Sequence, residues 1–494
     1  MNRSTRIAVT LPSRSVEEAR RETRLARAGG ADFAEIRLDR WTPADRDRIR
    51  ELFPSPLPLI GTLRSAAEGG EGPDDPRERR ATLEHLAASP FAFIDYELAR
   101  DYLPDSFRSG PASIGSRHFP AGATGSDVQS FVSSAPATCA FVKAILPLSV
   151  GEFRHDLLPR YPGWANGRTV VATTGPSGPL SRLWANRLRQ PLVFASLPTD
   201  VEDPPVDPAQ IPVDELRRGW SATPLRGYAV VGRPVAHSLS PRIHAGWSAT
   251  HRHRTAFVAL ELGTRPEFEE TIASARDGEW AGWSVTHPWK EAAASVADER
   301  SESVQSTGVA NTLTFRDGKV RADLTDASAV TRRARELKRS NRWDGREALV
   351  VGSGGAARAA VFGLRPVAVR ALLVGRSPAR VAELVQRVGG TPARVEDRHP
   401  VGLLVHATTV GRPGAGRLDP PLAGWIDSGT TVLDFVYSAS DAQIRTECEA
   451  AGGTYEDGRR LLVYQAADAH ADWWGHRPTE QELETMLRRI GCAE

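Results

Sequence analysis

The sequence predicts an α/β protein in which an eight-stranded barrel is followed by two smaller α/β lobes. Three observations support this prediction. Short apolar runs rich in strand-forming residues alternate with charged stretches of helical spacing throughout residues 1–220. A proline- and aspartate-rich stretch at 198–212 and a linker at 221–227 then interrupt the pattern. The alternation resumes at 228 with a different rhythm, and a strand followed at once by glycines begins its last part.

The barrel is predicted from the number and spacing of the apolar runs in the first half. Eight runs recur at intervals of roughly 25 residues, which is the repeat of a (β/α)8 barrel. An open doubly wound sheet is the alternative, but no glycine-rich phosphate turn follows the first run, so we favour the barrel. The runs lie at 6–11, 33–39, 58–64, 91–98, 113–119, 139–146, 169–174 and 191–196.

The second half is predicted to form two α/β lobes with a cleft between them. The first lobe, residues 228–330, has runs at 228–232, 256–262, 282–286 and 309–315. The second lobe, residues 331–494, has a strand and glycine turn at 347–361 and runs at 370–375, 402–409 and 430–437. We expect a closing helix at 461–475 to return to the first lobe.

Composition argues against several classes of protein. The 63 basic and 61 acidic residues give a net charge of +2, whereas a general nucleic-acid binder would carry a basic stripe. Three scattered cysteines are too few for a disulfide framework or a zinc site. No apolar run approaches the roughly 20 residues that span a bilayer, and the start of the chain lacks the apolar stretch of a signal peptide. We therefore expect a cytoplasmic protein that binds neither nucleic acid nor a membrane. No metal is expected, and the oligomeric state stays open.

A lysine inside an apolar strand is the strongest chemical signal of the first half. Lys143 lies in the run AFVKAIL, where burial would favour the uncharged amine over the ammonium ion. An uncharged amine can attack a ketone and form an iminium, which acidifies the adjacent carbon. The structural alternative is a lysine that reaches the surface or pairs with a nearby carboxylate.

Other polar residues stand near the ends of the predicted strands, where the active sites of such barrels lie. His118 ends the fifth strand, and histidine carries protons near neutral pH. Each of these residues taken singly is more often an ordinary paired or exposed side chain, but their recurrence beside Lys143 indicates a site. The further candidates are Glu35, Arg37, Arg64, Glu68, Arg182 and Gln210.

These residues fall in motifs that resemble the type I 3-dehydroquinate dehydratase family over residues 5–220. The motifs are EIRLD (35–39), TLRSAAEGG (62–70), IDYEL (94–98), SRH (116–118), FVK (141–143) and GPSGPLSR (175–182). The resemblance implies that Lys143 forms a Schiff base with the substrate ketone, that His118 moves the protons and that Glu68 orients the imidazole. The implied substrate-binding residues are Glu35, Arg37, Arg64, Arg182 and Gln210.

The family pattern is broken at three positions of this half. Phe119 follows the histidine where the family has an acidic or polar residue, Val206 stands in place of a serine and Ala209 in place of a glycine. We expect these changes to affect the contacts of the loop over the site more than the chemistry.

A glycine-rich turn in the second half predicts a dinucleotide site. GSGGAA (352–357) lies between a strand run and an alanine-rich helix, a context in which glycines let the backbone approach a pyrophosphate. The next strand ends in GRSPAR (375–380), whose arginines suit a 2′-phosphate, so NADP is expected rather than NAD. The candidate cofactor-binding residues are Gly352, Ser353, Gly354, Gly355, Ala356, Gly375, Arg376, Ser377 and Arg380.

The preceding lobe supplies polar groups for a substrate. AHSLSP (236–241) places two serine hydroxyls in a short turn, and SVTHPWK (284–290) places a threonine and a lysine after a strand. Lys290 and Asp326 suit an acid–base pair that moves an alcohol proton. The structural alternative for the serines and threonines is a capping or turn role.

This half resembles the shikimate dehydrogenase family over residues 225–490. The matching segments include YAVVGRPVAHSLSP (228–241), GWSVTHPWK (282–290), GVANT (308–312), VVGSGGAARA (350–359), HATTVG (406–411), LDFVY (433–437) and QAA (465–467). The resemblance implies that Lys290 and Asp326 are the catalytic pair and that Phe435 and Gly458 lie near the nicotinamide. The implied substrate contacts are Ser238, Ser240, Thr286, Asn311, Asp326, Tyr437 and Gln465.

The second half also departs from its family pattern. Ser284 and Leu324 stand where asparagine is common, Ala439 replaces a proline, and Leu461 and Leu462 stand where Met-Leu is usual. Because Lys290, Asp326 and Gln465 are kept, we expect activity.

Together the resemblances imply two consecutive steps of the shikimate pathway of aromatic amino acid biosynthesis. Dehydration of 3-dehydroquinate gives 3-dehydroshikimate, which the second half would reduce to shikimate with NADPH. Two alternatives stay open. The second half could be a quinate or related dehydrogenase that uses NAD, or one half could be a catalytically inactive binding module.

Overall fold

The computed structural model describes residues 5–101, 110–201, 205–221, 227–235, 237–367, 370–412, 416–418, 422–437 and 443–492. The chain forms two compact units, Met1–Gly227 with Arg252–Thr271, and Tyr228–His251 with Ile272–Glu494. Most of the predicted linker at 221–227 lies outside the described residues, as does Ala439. None of the described helices combines the length and the apolar character needed to cross a bilayer.

Eight parallel strands form a barrel in the first unit. They are β1 (Arg6–Leu11), β2 (Phe33–Arg37), β3 (Leu59–Thr62), β4 (Phe93–Glu97), β5 (Ala112–His118), β6 (Phe141–Pro147), β7 (Thr169–Thr174) and β8 (Leu192–Ala195). Hydrogen bonds join them in the order β7-β6-β5-β4-β3-β2-β1-β8, and β7 lies against β8. The predicted (β/α)8 barrel is thereby confirmed.

The helices of the barrel begin at residues that favour helix starts. The side-chain oxygens of Ser15, Asp75 and Thr124 accept backbone N–H groups at the starts of their helices, as good N-caps do. The helices are α1 (Val16–Ala28), α2 (Pro43–Asp47), α3 (Pro76–Ala87), α4 (Gly125–Ser134), α5 (Val150–Glu152), α6 (Leu158–Trp164), α7 (Gly178–Ala185) and α8 (Val213–Trp220).

The barrel strands are apolar near their starts and polar near their ends. One buried cluster comprises Ala8, Phe33, Ile60, Ile114, Phe141, Val170, Leu192 and Phe194. These residues fill the interior toward the amino ends of the strands. The polar side chains that alternate onto the same interior therefore collect at the carboxyl end.

A mixed sheet opens the second unit. From residue 227 the elements are β9 (Gly227–Gly232), α9 (Ser240–Thr250), β10 (Ala256–Glu261), α10 (Arg265–Ser274), β11 (Trp280–Val285), α11 (Lys290–Val296), β12 (Glu299–Arg300), α12 (Glu302–Thr307), β13 (Thr312–Arg316), β14 (Lys319–Asp323) and α13 (Thr325–Arg339). Of these, β10 and α10 as far as Thr271 belong to the first unit. Within this unit the strands follow the order β9-β11-β13-β14-β12. β13 is antiparallel to both β11 and β14, so the ends of β11 and β14 and the start of β13 lie together.

A parallel sheet forms the rest of the second unit. Its elements are β15 (Ala348–Val351), α14 (Gly355–Leu364), β16 (Ala371–Val374), α15 (Pro378–Val388), β17 (Thr391–Pro392), β18 (Leu403–His406), β19 (Thr431–Asp434), α16 (Gln443–Ala450), β20 (Thr454–Glu456), α17 (Arg459–Trp474) and α18 (Glu480–Arg489). The order β17-β16-β15-β18-β19-β20, with helices between parallel strands, confirms the predicted Rossmann-type sheet. The closing helix α17 packs against both α9 and α13.

Residues 252–271 pack with the barrel unit, whereas we expected all of 228–330 to form one lobe. The Glu215 carboxylate of α8 accepts the Phe257 N–H at 3.1 Å. His155 and Glu270 are 2.7 Å apart. The sequence could not show this, because the partners are far apart along the chain. The finer division into lobes at 228–330 and 331–494 stays a prediction.

Candidate active sites

The carboxyl half of the barrel surrounds Lys143, the third residue of β6. Its Nζ lies 2.7 Å from Asp95 and 3.4 Å from Glu35, and 3.9 Å from the centre of the Phe194 ring. The side chain is only 6% exposed. Pairing with carboxylates, the structural alternative for this lysine, is therefore what the structure shows. These contacts hold the amine inside the barrel.

Arg64 gathers three carboxylates at the same end of the barrel. Its Nη1 lies 2.8 Å from Glu68 and 3.2 Å from Glu97, and its Nη2 lies 3.1 Å from Asp95. Burial alone would raise the pKa of Asp95, but Lys143 and Arg64 outweigh burial and hold that pKa below its usual value. Asp95 is therefore ionised between two cations.

His118 ends β5, the strand beside that of Lys143. Ser116 lies opposite Lys143 in the parallel pairing, so His118 is two residues further along on the same face. Burial, together with the positive charges of Arg64, Lys143 and Arg37, lowers the pKa of His118 well below its usual value. The imidazole is therefore uncharged at neutral pH and available to accept a proton.

Glu68 reaches His118 through the backbone. One of its carboxylate oxygens accepts the His118 peptide N–H at 2.9 Å, and burial raises the pKa of this carboxyl. We expected Glu68 to orient the imidazole, whereas this contact fixes the end of β5 that carries the ring. The physical reason is that a buried peptide N–H at a strand end needs an acceptor, and Glu68 supplies it.

Glu35 and Gln210 share a hydroxyl at the barrel end. Glu35 accepts hydrogen bonds from Thr10 at 2.6 Å and from Thr62 at 2.8 Å. Gln210 Nε2 donates to Thr10 Oγ1 at 2.9 Å, and its Oε1 is buried without a hydrogen-bond partner among the described residues. A buried acceptor without a partner suits a ligand hydroxyl.

Two candidate arginines are paired with aspartates inside the protein. Arg37 donates two hydrogen bonds to Asp39, at 2.8 and 2.7 Å. Arg182 Nη2 lies 2.8 Å from Asp207, in the loop after β8. The other hydrogen bonds of Arg182 go to the carbonyl oxygens of Phe194, Thr173 and Gly178. A carboxylate ligand of Arg182 would therefore replace Asp207.

The three residues of the barrel that depart from the family pattern lie in two different parts of the structure. Val206 and Ala209 lie in the same loop as Asp207, which accepts the Ala209 N–H at 2.9 Å. Phe119 is buried and packs edge-on against Phe131, with ring centres 5.7 Å apart. Asp207 thus holds this loop through the Ala209 backbone, while Phe119 adds to the packing behind β5. The expected effect of these changes on the loop's contacts stays a prediction.

A cavity of about 690 Å³ opens within the second unit. It brings together the predicted substrate residues Ser238, Ser240, Thr286, Lys290, Asn311, Asp326, Tyr437 and Gln465. It is also lined by the predicted cofactor residues Gly352, Ser353, Gly354, Gly355, Ala356, Gly375, Arg376, Ser377, Arg380, Phe435 and Gly458. The Oγ of Ser284 is buried beside this cavity without a hydrogen-bond partner among the described residues.

Lys290 and Asp326 meet at the starts of two helices. Lys290 begins α11, Asp326 is the second residue of α13, and Nζ lies 2.5 Å from a carboxylate oxygen. Asn311 Nδ2 donates to Asp326 at 3.2 Å and to Gln465 Oε1 at 3.1 Å. The side chains of the pair are 17% and 11% exposed. The pair is thus held in place by amide groups and remains open to the cavity.

The turn between β15 and α14 has the backbone geometry of a phosphate cradle. Gly352 has φ +128°, and a side chain there would come 2.7 Å from the Ala407 carbonyl oxygen. A Cβ at Gly354 would meet nothing within 4 Å. Because Gly355 begins α14, the free N–H groups of a helix start face this open space. The residues present therefore fit a pyrophosphate.

Two exposed arginines follow the neighbouring strand β16. Arg376 and Arg380 form no ion pair with another described residue. Ser377 caps α15 by accepting the Arg380 backbone N–H. Guanidinium groups that the protein does not use itself fit the 2′-phosphate of NADP.

Sequence reasoning missed several residues of both sites. Asp95 and Ser116 were not singled out, although Asp95 lies two residues before Glu97 in the IDYEL motif, and alternation along the strand could have shown it. Thr408 lines the second cavity and was also missed. Leu324, where the family pattern has asparagine, leaves the start of α13 without a side-chain cap.

Two family models match the chain. Residues 7–223 match the model of type I 3-dehydroquinase. Residues 230–313 match the model of the shikimate dehydrogenase substrate binding domain. Both resemblances drawn from the sequence are confirmed by these matches.

Curated and solved proteins match the second half. The NADP(+) shikimate dehydrogenase of Xanthomonas euvesicatoria pv. vesicatoria is 35% identical over 276 residues, which are 54% of this chain and 96% of that protein. The one from Roseobacter denitrificans is 33% identical over 264 residues, 52% of this chain and 94% of that protein. The shikimate 5-dehydrogenase of Thermus thermophilus, solved with NADP(H) and shikimate, is 30% identical, covers 53% of this chain and 99% of its own, and has a TM-score of 0.48.

Proposed function

We propose that this chain, which belongs to the shikimate dehydrogenase family and carries a type I 3-dehydroquinase domain, catalyses two consecutive reactions. The barrel dehydrates 3-dehydroquinate to 3-dehydroshikimate, and the second unit reduces 3-dehydroshikimate to shikimate with NADPH. The observation that carries the proposal is a lysine in each unit hydrogen-bonded to an aspartate, buried at 143 and half-buried at 290. Lys143 lies 2.7 Å from Asp95, and Lys290 lies 2.5 Å from Asp326.

In the first reaction the amine of Lys143 adds to the substrate ketone, and loss of water gives an iminium ion. The iminium keeps the positive charge of the ammonium ion that it replaces, so Asp95 and Glu35 stabilise it where it forms. Uncharged His118 then takes the proton from the carbon next to the iminium, and the electrons of that C–H bond form an enamine. The enamine expels the β-hydroxyl, which the imidazolium protonates to water. Hydrolysis releases the product and restores both side chains.

The remaining candidates at the barrel end hold the substrate. Gln210 Oε1 accepts a substrate hydroxyl, because it is a buried acceptor without another partner among the described residues. Arg182 binds the carboxylate once Asp207 has moved away. Glu68 keeps the end of β5, and with it His118, in position. We also assign Glu35, Arg37 and Arg64 to substrate binding.

In the second reaction Lys290 and Asp326 move the proton of the alcohol oxygen. The NADPH that supplies the hydride would lie on the Gly352–Ala356 turn, with its 2′-phosphate beside Arg376 and Arg380. Lys290 donates a proton to the carbonyl oxygen as it becomes an alkoxide, and Asp326 orients the ammonium group. Ser238, Ser240, Thr286, Asn311, Tyr437 and Gln465 hold the substrate around this pair. Gly375 and Ser377 would also line the site on the adenosine side of the cofactor. Phe435 and Gly458 would line it on the nicotinamide side.

The test is an assay that starts from 3-dehydroquinate and NADPH and follows the nicotinamide absorbance. We expect oxidation of NADPH by the natural chain, none by Lys143→Met or Lys290→Met alone, and recovery when the two variants are mixed. Lys143→Met should still reduce 3-dehydroshikimate directly. If one half is an inactive binding module, the mixture will not recover.

The quinate dehydrogenase alternative is tested in the oxidative direction. The arginines at 376 and 380 predict that shikimate with NADP+ gives the higher kcat/KM than quinate with NAD+. A clear preference for quinate and NAD+ would overturn the assignment of the second reaction.

A further inference from the structure

Three hydrogen-bonded side chains lead from the core of the second unit to its cavity, and neither proposed reaction uses them. His406 is the last residue of β18, and Asp434 is the last residue of the neighbouring strand β19. Both are fully buried. His406 Nδ1 lies 2.7 Å from Asp434, and His406 Nε2 lies 2.6 Å from the hydroxyl of Thr408, which lines the cavity.

The hydrogen bonds of Asp434 decide which nitrogen of His406 carries the hydrogen. The carboxylate also accepts the Val436 N–H at 2.8 Å and the Tyr455 hydroxyl at 2.9 Å. Since a backbone N–H and a hydroxyl both donate to it, the carboxylate is placed as an acceptor toward His406 as well, and the hydrogen lies on Nδ1. In the neutral imidazole Nε2 is then an acceptor, and its hydrogen-bond partner must donate.

This order fixes the role of Thr408. Its hydroxyl hydrogen goes to His406 Nε2, and its oxygen accepts the Val410 N–H at 3.1 Å. The oxygen has one lone pair left, so Thr408 can only accept a hydrogen bond from a ligand in the cavity. An unconstrained threonine could donate or accept.

Thr408 lies on the nicotinamide side of the glycine turn. β15 lies between β16 and β18, so Arg376 and Thr408 flank the turn from opposite sides. A Cβ at Gly352 would come 3.3 Å from the Thr408 methyl group. If Arg376 binds the 2′-phosphate, the other half of the dinucleotide passes Thr408 on its way to Phe435.

We propose that Asp434 and His406 position Thr408 as a hydrogen-bond acceptor for a donor group on the nicotinamide–ribose half of bound NADP(H). This inference rests on the proposed function, because it takes NADP(H) as the ligand of the second unit. Two groups on that half of the ligand can donate, the carboxamide N–H and the ribose hydroxyls. His406 is a positioning residue here, since it acts on the ligand through Thr408.

Nitrogen NMR of the ligand-free protein tests the positioning directly. With ¹⁵N-labelled histidine, the signals of His406 are those lost in His406→Asn. We expect Nδ1 to be protonated and Nε2 to be unprotonated at neutral pH. A protonated Nε2 would overturn the inference, because Thr408 would then be free to donate.

Binding measurements test the role of Thr408. In titrations with NADP+, Thr408→Val should weaken binding about two- to tenfold, the effect of one lost hydrogen bond, whereas Thr408→Ser should bind as the natural chain does. Thr454→Val, an exposed change in the same sheet, is the matched control and should leave the dissociation constant unchanged. Equal affinity of Thr408→Val and the natural chain would overturn the inference.

Two analogues identify the donor. The 3-acetylpyridine analogue of NADP+ lacks the amide N–H, and a deoxy analogue lacks the hydroxyls of the nicotinamide ribose. The natural chain should bind one of them more weakly than NADP+, and Thr408→Val should lose that difference. If Thr408→Val keeps the discrimination against both, the inference fails while NADP binding stands. If the natural chain does not bind NADP+ at all, the proposed cofactor fails as well.

Discussion

At the end of the barrel the charged side chains around Lys143 are paired with one another, whereas two arginines at the cavity of the second unit are paired with no described residue. Arg64 alone contacts three carboxylates, and Arg182 is bound to Asp207. At the cavity of the second unit, Arg376 and Arg380 are exposed and paired with no described residue. The barrel site is therefore preorganised by its own charges, while the second cavity offers a large ligand two guanidinium groups that no described residue pairs. Catalysis and stability should be coupled in the first site and separable in the second.

The largest expected effect is on dehydration by His118→Asn. Loss of the proton carrier should lower kcat for dehydration by about 10²- to 10⁴-fold and leave reduction of 3-dehydroshikimate unchanged. Because the pKa of His118 is lowered well below its usual value, the acidic limb of kcat/KM in the natural chain should lie below pH 6.5. An acidic limb above that pH, or a small loss in His118→Asn, would contradict the assignment.

Arg64→Met tests the coupling of charge and stability. It leaves three buried carboxylates without their shared cation, so the free energy of unfolding of the barrel should fall by about 3–5 kcal/mol in urea titrations. Arg80→Met is the matched control, because Arg80 and Glu84 form an exposed pair at 2.9 Å on α3. That change should cost at most about 0.5 kcal/mol. If both variants lose the same free energy of unfolding, the ion pairs around Lys143 stabilise the barrel no more than an exposed pair does.

The second unit should lose stability in acid through a buried uncharged histidine. Burial lowers the pKa of His244 to about 3, from an ordinary value of 6.5. Below pH 6.5 His244 binds a proton in the unfolded chain but not in the folded unit. The free energy of unfolding therefore falls as the pH drops from 6.5 toward 3. This group should lower the free energy of unfolding by about 2 kcal/mol between pH 7 and pH 5. His244→Phe should reduce that loss. An unchanged pH dependence of the free energy of unfolding would show that His244 is not its cause.

The smallest expected effect is on the KM of the barrel. Asp207→Asn removes the carboxylate that competes for Arg182, an ion pair worth about 1 kcal/mol, so the KM for 3-dehydroquinate should fall about fivefold with little change in kcat. Asp214→Asn, which loses a 3.1 Å contact with Arg218 on α8, should leave KM unchanged. A KM that rises in Asp207→Asn would show that Asp207 helps to bind the substrate.

The sequence predicted the fold and the residues that line the cavity of the second unit. It did not predict which residues pair with the charged side chains at the end of the barrel. Strands and glycine turns follow from local patterns, and residues at the ends of neighbouring strands must lie together. The pairing of Arg182 with Asp207 depends on the path of the loop after β8, and the contact of Glu68 with the His118 backbone depends on the turn after β3. Local pattern carries no information on such contacts. Asp95 could have been predicted, because it lies two residues before Glu97 on the same face of β4.

The central claim is tested most directly by borohydride trapping at Lys143. The protein is incubated with 3-dehydroquinate, reduced with borohydride, digested and measured by mass spectrometry. We predict a reduced ligand adduct on the peptide that contains Lys143, and none in Lys143→Arg. A chain that still reduces 3-dehydroshikimate with NADPH but gives no adduct at Lys143 would contradict the account.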